Sequence, residues 1–189
     1  MASKNITLYQ AVEDRNNRDE VEQDGPYKCV SSNAWLGAGY YFWDTNIRLA
    51  HWWGKTAYKG KYMVCRIDYT CDYDAVFDLI GDMAALQLMK NTFNFLNSIG
   101  KPCTVSGVIE YLKRKTDFGT KYIAVRAKDE KFPEKDDRIL FISGDRPYLN
   151  LNPRIQLCFF DKSVFNGYEY KIVYPNEYAT VVDMTDMTI

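Results

Sequence analysis

Alternation of apolar and polar residues predicts β-strands at both ends of this chain. Residues in Lys61–Tyr69 alternate cleanly, so successive side chains are expected to point to opposite faces of a sheet. In Arg154–Phe160 the same alternation places Gln156 on the face opposite Ile155. Further strands are predicted at Ile6–Val12, Lys121–Ala127, Ile139–Ser143 and Glu169–Tyr174.

Helical periodicity is confined to the middle of the sequence. Ala75–Leu96 carries apolar residues at the spacing of an amphipathic helix, and Thr104 is suited to cap a second one. A third helix is predicted to be capped by Asp44 or Thr45, with an inward face of Ile47, Ala50 and Trp53. Strands at both ends and helices between them favour an α+β fold over regular β–α–β alternation.

The polar stretches are predicted to be surface connections within one domain. Glu13–Gly25 is a charged, Asn- and Asp-rich loop, and Lys128–Arg138 and Gly144–Pro153 are further connections. A chain of 189 residues without internal repeats or a linker favours a single domain over residues 1–189. Residues 175–189 are predicted to form a flexible tail.

Composition narrows the classes of function. The formal net charge of −1 provides no overall positive field for nucleic acid, although a local basic patch stays open. No window approaches 18 consecutive apolar residues, so we expect no membrane span. The five cysteines are odd in number and scattered, and no export signal is recognisable at Met1–Asn5. Reduced thiols in a cytoplasmic protein are therefore expected.

Three common chemistries lack the residues they need. His51 is the only histidine, and none of the five cysteines lies in a recognisable catalytic signature with it. No Cys-x-x-Cys pair occurs, so a usual zinc site is not expected and no metal is predicted. Gly37-x-Gly39 lacks the third glycine and the Lys-Ser/Thr of a phosphate-binding loop.

The stretch Leu36–Trp53, with the sequence LGAGYYFWDTNIRLAHWW, is the best candidate for the wall of a ligand cleft. A Gly-x-Gly turn leads into an aromatic strand, and a helix start follows. Glycine permits backbone angles that other residues avoid, so Tyr40 and Tyr41 could approach a ligand closely. A glycine-hinged core strand is the alternative. Together with Gln10 and Gln156, these tyrosines form a constellation that needs no metal and no nucleophile.

Three segments resemble the ADP-ribosyltransferases of the diphtheria toxin and poly-ADP-ribose polymerase type. LYQAV (Leu8–Val12) resembles the first-strand motif Leu-Tyr-His-Gly-Thr of that family. GAGYYFWDTNIRLAHW (Gly37–Trp52) is similar to its Gly-x-Gly-Ile-Tyr-Phe-x-Asp motif and the helix that follows. RIQLCFFDKSVF (Arg154–Phe165) resembles the third motif, a late strand that starts with Glu or Gln. The segments occur in the family's order across nearly the whole chain.

The resemblance implies a split β-sheet with helices inserted between strands, and a cleft that binds NAD as substrate. Gln10 would contact the adenosine ribose, and the backbone of Ala11 would hold the nicotinamide carboxamide. Tyr41 would stack on nicotinamide, while Gln156 would hold the nicotinamide ribose and support the cationic transition state. Gly39, Tyr40 and Ala50 fall on further cofactor-binding positions.

The resemblance also implies an activity, transfer of ADP-ribose to a protein or nucleic-acid acceptor with release of nicotinamide. Gln10 replaces the family's histidine, and Gln156 replaces glutamate without its negative charge. Glu169 is the fallback carboxylate. The leading hypothesis is therefore a mono-ADP-ribosyltransferase of the bacterial or phage effector type. A non-catalytic binding module with the same fold is the second hypothesis, and an unrelated α+β binding protein is the third.

Overall fold

A seven-stranded mixed sheet organises the computed structural model, which describes residues 3–129, 137–140 and 148–179. The order across the sheet is β4-β5-β8-β2-β1-β3-β9, and neighbours run antiparallel except β4 and β5. The strands are β1 (Lys4–Glu13), β2 (Tyr40–Asp44), β3 (Tyr62–Cys71), β4 (Val76–Asp78), β5 (Ala124–Asp129), β8 (Arg154–Phe159) and β9 (Lys171–Tyr174). In a separate two-stranded antiparallel sheet, β6 (Arg138–Leu140) pairs with β7 (Tyr148–Asn150).

The described part of the chain also contains five α-helices. They are α1 (Arg18–Asp24), α2 (Ile47–Ala57), α3 (Met83–Ser98), α4 (Val105–Lys115) and α5 (Phe118–Lys121). Four helices connect β2 to β3 or β4 to β5, so helices and strands share one unit. The α+β class predicted from the sequence is thus confirmed. The hydroxyl of Thr104 caps α4 by accepting from the Gly107 N–H at 3.2 Å, as predicted.

Several sequence-based boundaries were wrong. The charged stretch predicted as a loop contains α1, because Val21 packs into the core at 2% exposure. The helix predicted from Ala75 starts only at Met83, after the buried strand β4. Asp82 caps that helix by accepting from the Ala84 N–H at 2.8 Å. β7 lies in a stretch that was predicted to be a loop.

The inward face of α2 also differs from the prediction. α2 begins after Asn46 rather than after Asp44 or Thr45, and its buried residues are Leu49, Ala50 and Gly54. Trp53 was predicted to face inward, but it is 42% exposed. A methyl group on Gly54 would lie 2.2 Å from the Tyr62 ring, so contact with β3 requires glycine there.

Apolar side chains cover both faces of the sheet. One face carries a cluster that includes Phe42, Leu157, Phe159 and Phe165. α3 and α4 pack on the opposite face at the β4-β5-β8 end, and α2 packs near β1 and β3. The core therefore forms two layers, one on each face of the sheet. Packing on both faces holds β8, β2 and β1 in position.

The sheet divides between β1 and β2. β1 pairs with β3 along its whole length, but it pairs with β2 only at Leu8–Asp44 and Tyr9–Trp43. From Tyr40 to Trp43, β2 stays paired with β8. The two halves of the sheet consequently separate beyond Tyr9.

The end of the chain is described only in part. Residues 175–179 fold back in a turn, in which the N–H groups of Tyr178 and Ala179 donate to the Pro175 carbonyl at 2.9 and 3.2 Å. The rest of the predicted tail, residues 180–189, lies outside the described residues. No helix among the described residues is long and apolar enough to cross a membrane.

Candidate functional site

A cleft of about 590 Å³ opens where β1 and β2 separate. β1 supplies Gln10, Ala11 and Val12, and the segment after α1 supplies Tyr27, Lys28 and Cys29. The far wall consists of residues 41–43 of β2 with Gln156 of β8 and Asp129 of β5. Three of the residues predicted from separate motifs, Gln10, Tyr41 and Gln156, are therefore brought to one cleft.

Aromatic side chains dominate the walls of this cleft. They include all four tryptophans, Trp35, Trp43, Trp52 and Trp53, together with Tyr41 and Tyr58. Such rings offer flat apolar faces and polar tips, a combination that suits planar heterocycles and sugars. Among the described lining residues, Asp129 is the only carboxylate and Lys28 the only cation.

Gln10 bridges the separated strands through its side-chain amide. Its Oε1 accepts from the Tyr27 N–H at 2.9 Å and from the Tyr170 hydroxyl at 2.8 Å. Its Nε2 donates to the carbonyls of Tyr27 at 2.9 Å and Tyr41 at 3.1 Å. These four bonds use the hydrogen-bonding capacity of a primary amide. Gln10 thus holds β1 to β2 where backbone pairing has stopped, and its contact with ribose stays a prediction.

The side chain of Tyr41 on β2 binds the backbone at the start of the Gly-x-Gly turn. Its hydroxyl donates to the Gly37 carbonyl at 2.8 Å and accepts from the Leu36 N–H at 3.0 Å. Burial raises the pKa of the Tyr41 phenol, so the hydroxyl stays neutral. The ring lines the cleft while its polar tip is anchored. A stacking role is compatible with this geometry and stays a prediction.

Trp35 orients Gln156 in the cleft. The indole N–H of Trp35 donates to Oε1 of Gln156 at 2.7 Å. An indole N–H can only donate, so the oxygen of the amide must face Trp35. Among the described residues Nε2 of Gln156 has no hydrogen-bond partner, and this donor is available to a bound molecule. The arrangement suits an acceptor oxygen of a ligand.

The other predicted cofactor residues are dispersed. Ala11 lines the cleft at 7% exposure, and its carbonyl accepts from the Tyr58 hydroxyl at 3.5 Å. Gly39, Tyr40 and Ala50 are not among the lining residues. Tyr40 packs on Phe165 on the opposite face of the sheet, and Ala50 is fully buried on the inward face of α2.

Gly39 has a packing role. Its backbone pairs with Cys29 in both directions, at 2.8 and 3.0 Å. A methyl group there would lie 2.5 Å from Sγ of Cys158 and 2.6 Å from the Phe159 carbonyl oxygen. Glycine is therefore required for the turn to lie against β8.

Glu169 lies apart from the cleft. The residue is exposed and precedes β9, and its carboxylate pairs with the ammonium group of Lys171. The carboxylate that does line the cleft is Asp129, which the sequence patterns did not indicate. Trp35 was missed as well, because it lies in an irregular segment where side-chain periodicity carries no information.

The histidine and the thiols show no catalytic pairing. Nδ1 of His51 lies 3.0 Å from the Tyr62 hydroxyl, and burial lowers the pKa of the imidazole. All five cysteines are free thiols. In the described part of the chain, no three His, Cys, Asp or Glu residues are grouped closely enough to hold a metal ion.

Comparison with known proteins gives a distant likeness. The chain is 23% identical over 201 aligned positions to an uncharacterized protein from Methanocaldococcus jannaschii. The alignment covers 90% of this chain and 89% of that protein, so the likeness extends over nearly the full length of both. No protein-family model matches the chain, and no solved structure is significantly similar to it.

Proposed function

We propose that this protein binds NAD in the cleft and acts as a mono-ADP-ribosyltransferase on a macromolecular acceptor. The observation that carries the proposal is the convergence of the three motif strands. β8, β2 and β1 are neighbours in the sheet, and the cleft lies between the last two. Gln10, Tyr41 and Gln156 come from segments far apart in sequence, yet all three line that cleft.

The split between β1 and β2 supports the proposed fold family as well. Two backbone pairs hold the strands together before they part, and the Gln10 amide spans the gap. This creates a cleft inside the sheet rather than on its surface. A dinucleotide could enter between the halves, with its rings against the aromatic walls and its carboxamide near the backbone of Ala11.

The chemistry of NAD cleavage makes modest demands on the protein. As the bond between nicotinamide and ribose breaks, positive charge develops on the sugar, and oriented polar groups stabilise it. Gln156 presents an oriented amide but no charge. Its neutral side chain favours a second candidate function, a binding module that retains NAD without cleaving it.

A titration with NAD separates these possibilities. We expect binding by isothermal titration calorimetry, and incorporation of labelled ADP-ribose when the protein is incubated with cell lysate. Trp53→Ala, which removes a half-exposed cleft ring, should weaken binding by about tenfold, since one aromatic stacking contact contributes about 1–3 kcal/mol. Phe95→Ala is the matched control, because Phe95 is similarly exposed on α3 outside the cleft.

Each outcome has a distinct meaning. Binding accompanied by transfer of label supports the transferase. Binding without transfer or nicotinamide release supports the non-catalytic module. If NAD does not bind at all, the family resemblance is a coincidence of short motifs. Equal weakening by Trp53→Ala and Phe95→Ala would place the ligand outside the cleft.

A further inference from the structure

We propose that Asp129 supplies the negative charge that Gln156 lacks, and that it acts as the catalytic carboxylate of the cleft. The inference rests on the proposed function, because it concerns cleavage of NAD at the same site. It assigns the catalytic charge to β5, the strand next to the one on which the third motif lies.

Strand register places Asp129 on the same face of the sheet as Gln156. In the β5–β8 ladder, Ala127 lies opposite Gln156 and Asp129 lies opposite Arg154. Residues two apart on a strand share a face, and directly opposed residues do as well. Asp129 is thus a diagonal neighbour of Gln156, with backbones about 7–8 Å apart, within reach of one bound sugar.

No other described lining residue can provide this charge. Among the lining residues that the structure describes, Asp129 is the only carboxylate, whereas the exposed carboxylate of Glu169 lies elsewhere. The Asp129 side chain is 38% exposed, so the carboxylate is open to the cleft and to solvent. A carboxylate in this position can contact a bound ligand without a change in the conformation of the protein.

Arg154 lies beside the Asp129 carboxylate. Its Nη1 lies 3.8 Å from Oδ2 of Asp129, and its guanidinium lies 4.3 Å from the centre of the Trp52 ring. This aromatic contact positions the cation between Asp129 and Trp52, two residues that line the cleft. A separation of 3.8 Å exceeds that of a close charge-assisted hydrogen bond, so the carboxylate retains acceptor capacity for a substrate.

The chemical step balances with water or an acceptor hydroxyl as the only co-reactant. The bond between C1′ of the ribose and the nicotinamide nitrogen breaks, and nicotinamide leaves as a neutral molecule with the electron pair. The nucleophile forms a new bond to C1′ and loses its proton to the Asp129 carboxylate, from which the proton passes to solvent. Asp129 stabilises the positive charge on the sugar during this exchange.

The test compares NAD binding with nicotinamide release in the full chain. Asp129→Asn retains size and removes charge. We expect its rate of nicotinamide release to fall by about tenfold to a hundredfold, with the Kd for NAD changed by less than about threefold. Asp129→Glu restores the charge and should recover part of the rate. Asp117→Asn is the control, since this exposed carboxylate lies beside α5 and outside the cleft.

The outcomes distinguish this inference from the proposed function. Suppose that the wild-type protein binds NAD and releases nicotinamide. If Asp129→Asn then releases it equally fast, only the role of Asp129 is overturned. Binding with no release by the wild type overturns it as well and leaves a binding module. Absence of NAD binding overturns the proposed function, and the inference with it. Loss of release in Glu169→Gln, with Asp129→Asn active, would assign the charge to Glu169.

Discussion

The indole N–H of Trp35 and the amide oxygen of Gln156 meet at 2.7 Å, although 121 residues separate them in sequence. This hydrogen bond sets the orientation of the one polar side chain that β8 contributes to the cleft. It also connects an irregular segment to the sheet. The same bond could persist with a carboxylate at position 156, because carboxylate oxygens accept from an indole as an amide oxygen does.

Gln156→Glu should therefore increase nicotinamide release from NAD. The added charge would face the sugar as it becomes cationic, and one charge-assisted contact is worth about 2–3 kcal/mol, or up to a hundredfold in rate. We expect a rise of at least about tenfold, measured by chromatography of nicotinamide. Gln87→Glu is the control, since it makes the same change on the exposed face of α3. An unchanged or lower rate in Gln156→Glu would contradict the proposed role of position 156.

Trp35→Phe should abolish the hydrogen bond that orients the Gln156 side chain. The substitution removes the indole donor, and the free energy of unfolding should fall by about 1 kcal/mol, the usual contribution of one hydrogen bond. In a double-mutant cycle with Gln156→Ala, measured by urea denaturation, we expect a coupling energy of about 1 kcal/mol. Strict additivity of the two substitutions would mean that the hydrogen bond makes no net contribution.

Gln10→Leu should destabilise the protein strongly. The apolar side chain retains the bulk of glutamine but leaves backbone groups of Tyr27 and Tyr41 without these partners in a partly buried setting. We expect a loss of about 2–4 kcal/mol in the free energy of unfolding by urea denaturation. Thr70→Val removes an exposed hydrogen bond to Asn5 on the same sheet and should cost below about 0.5 kcal/mol. Similar losses in the two variants would show that Gln10 does not hold the strands together.

Buried thiols should make the fold less stable at high pH. Burial raises the pKa of the Cys158 thiol from 9.0 to about 12, so the folded state keeps a proton that the unfolded state loses. This contribution is complete below pH 9 and declines as the pH rises towards 12, by up to about 1.4 kcal/mol per pH unit. Cys158→Ala should show a shallower decline between pH 9 and 11 in urea titrations. Parallel curves for the two proteins would exclude a contribution from Cys158.

The sequence was informative where local pattern and fold agree. Alternation located β3 and β8, and the resemblance to known motifs selected Gln10, Tyr41 and Gln156, which do share a cleft. Local pattern could not reveal how the strands pair. The split of the sheet depends on where β1 leaves β2, and that is a property of distant segments.

The missed residues have physical explanations as well. Asp129 lies in the stretch predicted to be a polar connection, but it ends β5, and only the register with β8 brings it to the cleft. Trp35 lies in an irregular segment, where neither the periodicity of a strand nor that of a helix predicts the direction of a side chain. α1 resembled a loop because only Val21 of its seven residues is buried. In each instance the contact that determines the position of the residue or helix is made with a residue far away in sequence.

Gly39→Ala should disrupt the turn that carries the aromatic strand. Its new methyl group would lie 2.5 Å from Sγ of Cys158 and 2.6 Å from the Phe159 carbonyl oxygen, so β2 and β8 would have to move apart. We expect the free energy of unfolding to fall by about 2–3 kcal/mol in urea denaturation, as for other overpacked sites. Cys158→Ala should rescue only part of this loss, because the backbone contact remains. Gly119→Ala, whose methyl group would have no neighbour closer than 4.0 Å, should be neutral or stabilising. Equal stability of the Gly39 and Gly119 variants would contradict the close approach of the turn to β8.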